Sequence, residues 1–166
     1  MSTMTMTRPR VPAAKPVRDM LTDLLGRNVE VVVSTPYAPM HGEPGTLAVY
    51  VDDRTIVRAV MVADLPFSAY AGAAIGLVPV HGAEEAITEK LLPQALEENF
   101  YEVLNICASL MNAEGLPHLR LYQMYAPGNL PPTEVSNCAR ILGGRLDLAV
   151  EITGYGKGRL SVVVLG

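Results

Sequence analysis

Hydrophobic and polar positions change period several times along the chain, and each change marks an element. From Asp19 to Leu25 the residues Met20, Leu21, Leu24 and Leu25 fall on one side of a short helix, which Gly26 closes. Val29, Val31 and Val33 then alternate with Glu30 and, less cleanly, with Val32, a strand pattern. Thr46 to Val51 and Thr55 to Ala63 flank Asp52-Asp53-Arg54 as two strands about a hairpin turn; the second is apolar on both faces and belongs inside a sheet. Asp64 supplies a cap and Pro66 a first turn for a helix reaching Ile75. A long helix follows from about Ala83 to Asn112, with Pro93 either kinking it or opening a second helix, and Gly115 and Pro117 end it. Leu119 to Tyr125 is strand-like, and Ala126 to Pro132 is a loop of Pro, Gly and Asn. Leu146, Leu148, Val150 and Ile152 alternate cleanly with Asp147, Ala149, Glu151 and Thr153, before the glycine-rich Gly154 to Gly158 turns the chain back into Leu160 to Leu165.

Sequential strands joined by tight turns pair antiparallel. The order of elements therefore predicts an α+β two-layer domain: a mostly antiparallel sheet of about six strands with helices, one of them long, packed on one face. Residues 1–18 mix Ser, Thr, Pro and Arg without the apolar run of a signal peptide and are expected to form a disordered arm, leaving 19–166 as a single domain.

Composition narrows the function. At 166 residues, 49% hydrophobic and 18% charged, the chain can bury one core. A net charge of −4 argues against nucleic-acid and anionic-membrane partners, and two phenylalanines without tryptophan weaken any base-stacking role. No stretch approaches the roughly 20 apolar residues of a membrane span. Two cysteines make no disulfide framework, which fits a reducing cytoplasm. The chain lacks a phosphate-binding loop with its Gly-Lys-Ser/Thr ending, a Gly-x-Ser-x-Gly elbow and a His-Glu-x-x-His pair. His41, His81 and His118 are scattered in loops, and no metal site is expected. Cys107 reads as a core cysteine, and Cys138 has no neighbouring His or Lys to activate it.

One pattern stands apart. Glu98, Glu102, Asn105, Ser109 and Asn112 are spaced by 4, 3, 4 and 3 residues, so on a helix they form one polar stripe along an otherwise apolar rod. An unpaired amide or carboxylate in a core costs about 1–3 kcal/mol or more, so the row is wet, paired within the fold or presented to a partner. Within the stripe, Glu102 and Asn105 form a forked probe: the carboxylate can pair with a lysine, and the amide, both donor and acceptor, can hold a water in one orientation. Neither is a strong base. Such a pair suits hydrolysis of an acyl phosphate already polarised by a metal and a lysine on another protein.

These residues, in this order of elements, resemble the CheC/CheX chemotaxis phosphatases, which share their domain with flagellar switch proteins. The motif of that family is Asp or Ser, then Glu, then Asn one turn later, and a distant proline. Here Glu98, Glu102, Asn105 and Pro127 take those places, the proline one residue early and Glu98 replacing the usual Asp or Ser. The likeness of organisation covers nearly the whole chain after the arm. A single Glu-x-x-Asn is visible, since Asp23-Leu24-Leu25-Gly26 in the first helix has no Asn, and this is similar to the one-site CheX arrangement.

The resemblance implies a phosphatase acting on the aspartyl phosphate of a CheY-type response regulator, with Glu102 engaging a receiver lysine and Asn105 orienting the attacking water. Presentation of the stripe gives partner contacts for Glu98, Ser109 and Asn112, and Pro127 reads as a structural loop constraint whatever the function; the resemblance implies Mg2+ carried by the receiver, no cofactor of the chain's own, and a homodimer. Two other readings of the stripe stand beside it. One is bonding to loop backbone near Gly128 and Asn129. The other is a non-catalytic receiver-binding or dimeric interaction module of the same fold, related to the flagellar switch.

Overall fold

The structure, a computed structural model, describes residues 8–39 and 43–166; His41 lies outside the described residues. Helix α1 (Ala14–Leu25) leads into β1 (Val29–Val33), β2 (Gly45–Val51) and β3 (Val57–Asp64). Helices α2 (Leu65–Ile75), α3 (Val80–Glu89) and α4 (Gln94–Cys107) follow, the last tightening into a 3-10 turn (Ala108–Met111). Then come β4 (Arg120–Tyr125), α5 (Thr133–Cys138), β5 (Arg145–Ile152) and β6 (Gly156–Val164). The strands form one six-stranded sheet in the order β1-β5-β6-β3-β2-β4, every pair antiparallel. The α+β fold is that expected from the periodicity.

Strand β3 lies inside the sheet, between β6 and β2, and its two faces feed two cores. Ala59, Met61 and Ala63 join the main core with α1, α2 and α4, while Val60 and Val62 join a second core on the opposite face. Asp64 caps α2 as anticipated: its side chain accepts from the Phe67 amide at 2.8 Å, and Pro66 stands in the first turn. Gly26 closes α1 in the left-handed conformation at φ 67°, which glycine adopts without steric cost.

Three expectations are corrected, and one left between two alternatives is decided. The boundary of the arm at Arg18 is too late: α1 begins at Ala14, Val17 is fully buried in the main core, and Pro9 and Pro12 are buried too. Of the two alternatives at Pro93 the structure has the second: one helix ends where Lys90 takes a left-handed conformation (φ 55°), and Pro93 caps a new one, α4. The α-helix ends at Cys107, short of Asn112. The helices do not all lie on one face, because α5, which the sequence pattern did not reveal, packs Val135, Cys138 and Ala139 against the second core.

The position of α4 is set by three contacts. Gly72 of α2 brings the two helices so close that an added Cβ would lie 2.6 Å from the Leu96 carbonyl oxygen. Asn99 Nδ2 donates to the Gly72 carbonyl at 2.9 Å, and Phe100 meets Phe67 edge-on with ring centres 5.7 Å apart. At the far end the turn to 3-10 geometry redirects the Ala108 amide to the Asn105 carbonyl, and the freed Leu104 carbonyl accepts a hydrogen bond from Tyr50 of β2. No helix among the described residues is long and apolar enough to cross a membrane.

Candidate functional site

Leu96, Phe100, Val103, Leu104 and Cys107 are the buried face of α4, and burying each large side chain among them stabilises the helix's seat by about 1.5–3 kcal/mol. The helical period then leaves Glu98, Glu102 and Asn105 on the outer side, where all three are exposed. Glu102 and Asn105 stand one turn apart in the last two turns of α4, and neither side chain has a hydrogen-bond or ion-pair partner among the described residues. Glu98 accepts from Gln94 Nε2 at 3.0 Å in solvent.

The stripe is shorter than its spacing suggests. Ser109 is exposed but sits in the 3-10 turn, where its hydroxyl donates to the Ile106 carbonyl at 3.0 Å. Asn112 is off the helix altogether, in extended conformation. Its amide makes a two-point clasp with Leu119, donating to the carbonyl at 3.1 Å and accepting from the amide at 2.8 Å. That clasp closes the loop between the 3-10 turn and β4, so the expected partner contact at Asn112 is replaced by an internal one. Internal pairing to the loop at Gly128 and Asn129 does not occur: the Asn129 amide bonds Ala126 instead.

Tyr101, 41% exposed, was hidden in the sequence by the apolar run around it. Its position, one turn before Asn105 and next to Glu102, is the signal that places it on this face. Pro127 is buried at the start of the loop after β4. Cys107 faces the core, where burial pushes its thiol up to about 12, leaving it protonated and inert. Cys138 is half-buried, and its thiol donates to the Glu134 carbonyl. His81 is exposed on α3 rather than in a loop, and His118 is exposed in the loop before β4.

A cleft of about 550 Å³ opens elsewhere, lined by Pro39, Leu47, Lys90, Tyr125, Leu130 and Arg140 among others, and no α4 residue contributes to it. The outer face of α4 offers a carboxylate, an amide and a phenol. Chemically, this arrangement can bind a cation and orient a water. It cannot by itself generate a nucleophile or stabilise a leaving group.

No protein-family model matches the chain, and no curated protein does. Solved structures do. The FliM–SpeE complex from H. pylori contains a chain that matches 91% of this one over 80% of its own length, with a TM-score of 0.60 and 8% identity. The FliM middle domain from H. pylori matches 91% of the chain over 84% of its own, at a TM-score of 0.53 and 10% identity. The structural neighbours also include CheX, in a CheX–CheY complex with BeF3 and magnesium from Borrelia burgdorferi, covering 89% of this chain and 92% of that one at a TM-score of 0.48 and 9% identity. At such identities the likeness to the FliM domains shows a common fold and nothing beyond it.

Proposed function

We propose that the chain removes the phosphoryl group from the aspartyl phosphate of a CheY-type receiver domain. One observation carries this reading: Glu102 and Asn105 project together into solvent from a helix whose other side is locked in the core, with no partner of their own among the described residues. An amide on an exposed face that no internal bond requires is suited to an external water. The receiver brings the acyl phosphate, the metal and a lysine. Glu102 pairs with that lysine and sets the docking register, while the Asn105 side chain holds a water in line with the scissile P–O bond. Water attacks phosphorus, the bond to the receiver's carboxylate breaks, and aspartate and inorganic phosphate leave. Positioning of this kind needs no strong base on the chain, since the receiver's carboxylate is already a good leaving group.

The test is the lifetime of a phosphorylated receiver in magnesium buffer with and without the chain. The chain shortens it, and Asn105→Ala, at an exposed position that leaves the fold intact, removes at least about 90% of the acceleration, since one positioning group contributes tenfold or more. Unaltered decay with the wild-type chain rejects catalysis on that receiver.

Tyr101 favours a second reading, a docking module without catalysis. An exposed tyrosine beside an acidic side chain is a common anchor of protein interfaces. In that case the receiver binds, its phosphate lifetime is unchanged, and Glu102→Lys abolishes the association.

A further inference from the structure

Two connections meet on the face of the sheet that carries the second core. One joins β1 to β2 and contributes Tyr37 and Ala38 to that core; the other, residues 126–144 between β4 and β5, includes α5 and contributes Val135, Cys138 and Ala139. Binding residues concentrate on loops of this kind, held by a rigid scaffold. The cleft of about 550 Å³ opens between the two, with Ala38 and Pro39 on one wall and Leu130, Ser136 and Arg140 on the other.

A buried clamp ties the walls together. Arg145 of β5, its side chain 6% exposed, donates to the Tyr37 carbonyl of the first connection and to the Ala139 and Ile141 carbonyls of the second, while Asp147 holds its guanidinium at 2.8 Å. The cleft is therefore pre-formed, and its volume falls within the roughly 300–1,000 Å³ of small-molecule sites. Leu47 and Tyr125, partners across β2 and β4, give it an apolar floor. Two cations also line it: Lys90, set there by the left-handed turn that ends α3, and Arg140. Both are exposed, and neither side chain has a hydrogen bond or ion pair among the described residues. Glu43 is the one acid on the lining, so in a chain of net charge −4 the local balance is inverted.

We propose that this cleft binds a small carboxylate with an apolar body, the carboxylate drawn to Lys90 and Arg140 and the body laid on Leu47 and Tyr125. Both parts of the ligand are needed. A bare anion would meet two exposed cations whose attraction salt screens, and an uncharged apolar molecule would gain the floor alone. An amphipathic cation would be repelled by two of the three charges on the lining. Because the clamp at Arg145 already fixes the walls, binding does not have to order them. No α4 residue contributes to the cleft, so the proposal is independent of the phosphatase reading.

Calorimetric titration of the full chain with octanoate, octanol and octyltrimethylammonium tests it, without any receiver. Octanoate binds one site per chain, at least about tenfold tighter than octanol, and the cation does not bind. Arg140→Glu, at an exposed position whose side chain makes no internal bond, weakens octanoate at least about tenfold without changing Tm, and Arg140→Lys restores most of the affinity. In nuclear magnetic resonance spectra octanoate shifts the methyl signals of Ala38, Leu47 and Ala139 and leaves the amides of Glu102 and Asn105 in place. A chain that ignores octanoate at millimolar concentration overturns the proposal, even if it captures a peptide. So do equal affinity for octanol, an affinity untouched by Arg140→Glu, and shifts that map to α4 instead of the cleft.

Discussion

Substituting Gly72 by alanine tests whether α4 is held where the site needs it. Alanine in the middle of α2 gains about 1 kcal/mol of intrinsic helix propensity over glycine, so an isolated helix would be stabilised. Here the new Cβ would fall 2.6 Å from the Leu96 carbonyl oxygen, and real contacts do not come closer than 3.0 Å, so α4 has to retreat by at least 0.4 Å. Overpacking of that kind costs about 1–3 kcal/mol. The retreat also stretches the bond from Asn99 to the Gly72 carbonyl, about 1 kcal/mol more. The sum less the propensity gain is a loss of about 2 kcal/mol, or roughly 4–8 °C in Tm for a domain of this size. Thermal unfolding followed by circular dichroism measures it. Gly76→Ala is the control: its Cβ would meet only the Asn99 amide, which can swing away by giving up its bond to the Gly72 carbonyl, about 1 kcal/mol, with no displacement of the α4 backbone, so its loss should be smaller. A Gly72→Ala chain more stable than wild type would refute the reasoning, since it would mean that the α2–α4 contact yields without cost.

Two further outcomes follow from internal polar contacts. Asn112→Ala removes both bonds to Leu119 and leaves its backbone groups unpaired; a loss of about 2 kcal/mol in urea unfolding is expected, with receiver association unchanged. Asp147→Asn disarms a buried pair: burial raises this carboxyl, but the bonds from Arg145 and Ser161 outweigh it and hold it below the ordinary 3.8. A depressed carboxyl stabilises above its unfolded value and loses that contribution as pH falls through the folded one, so the deficit of the variant, about 3 kcal/mol at pH 7, should shrink below about pH 4. Asp64 acts in the opposite sense, because burial raises its carboxyl and its protonated form favours the folded chain; acid titration of unfolding separates the two.

Where local chemistry and tertiary packing agreed, the sequence was readable. Asp64 and Pro66 announced α2 because a cap and a first-turn proline act within four residues, and the alternation from Leu146 to Ile152 announced β5 because one of its faces is buried. The start of α1 was missed because Lys15, Pro16 and Arg18 give its first turns the composition of a tail, although Val17 is wholly buried against elements far away in sequence. The break at Lys90 needed a left-handed residue that is not glycine, for which the sequence carries no sign. Helix α5 is six residues long and has no fully buried side chain, too little for a period to emerge. Within the site, exposure of Glu102 and Asn105 was legible from the arc they share. The fate of Asn112 was not, because its partner is reached only after the loop at Gly115 and Pro117 has turned the chain back.

The same residues that seat α4 determine what its outer face can do. Phe100 against Phe67, Asn99 on Gly72 and Tyr50 on the Leu104 carbonyl hold the helix along its length, so it can neither roll nor slide without breaking one of them. Glu102 and Asn105 therefore meet a partner from a backbone already in place, and binding orders two side chains rather than a loop. At roughly 0.5–1.5 kcal/mol per ordered side chain that cost is small beside the energy of a docked interface. A catalyst whose contribution is to hold one water in line gains most from such rigidity, because a misplacement of about 1 Å costs about a hundredfold in rate. The outer face is chemically sparse, with a carboxylate, an amide and a phenol, and its geometry is the part that the core of this protein supplies.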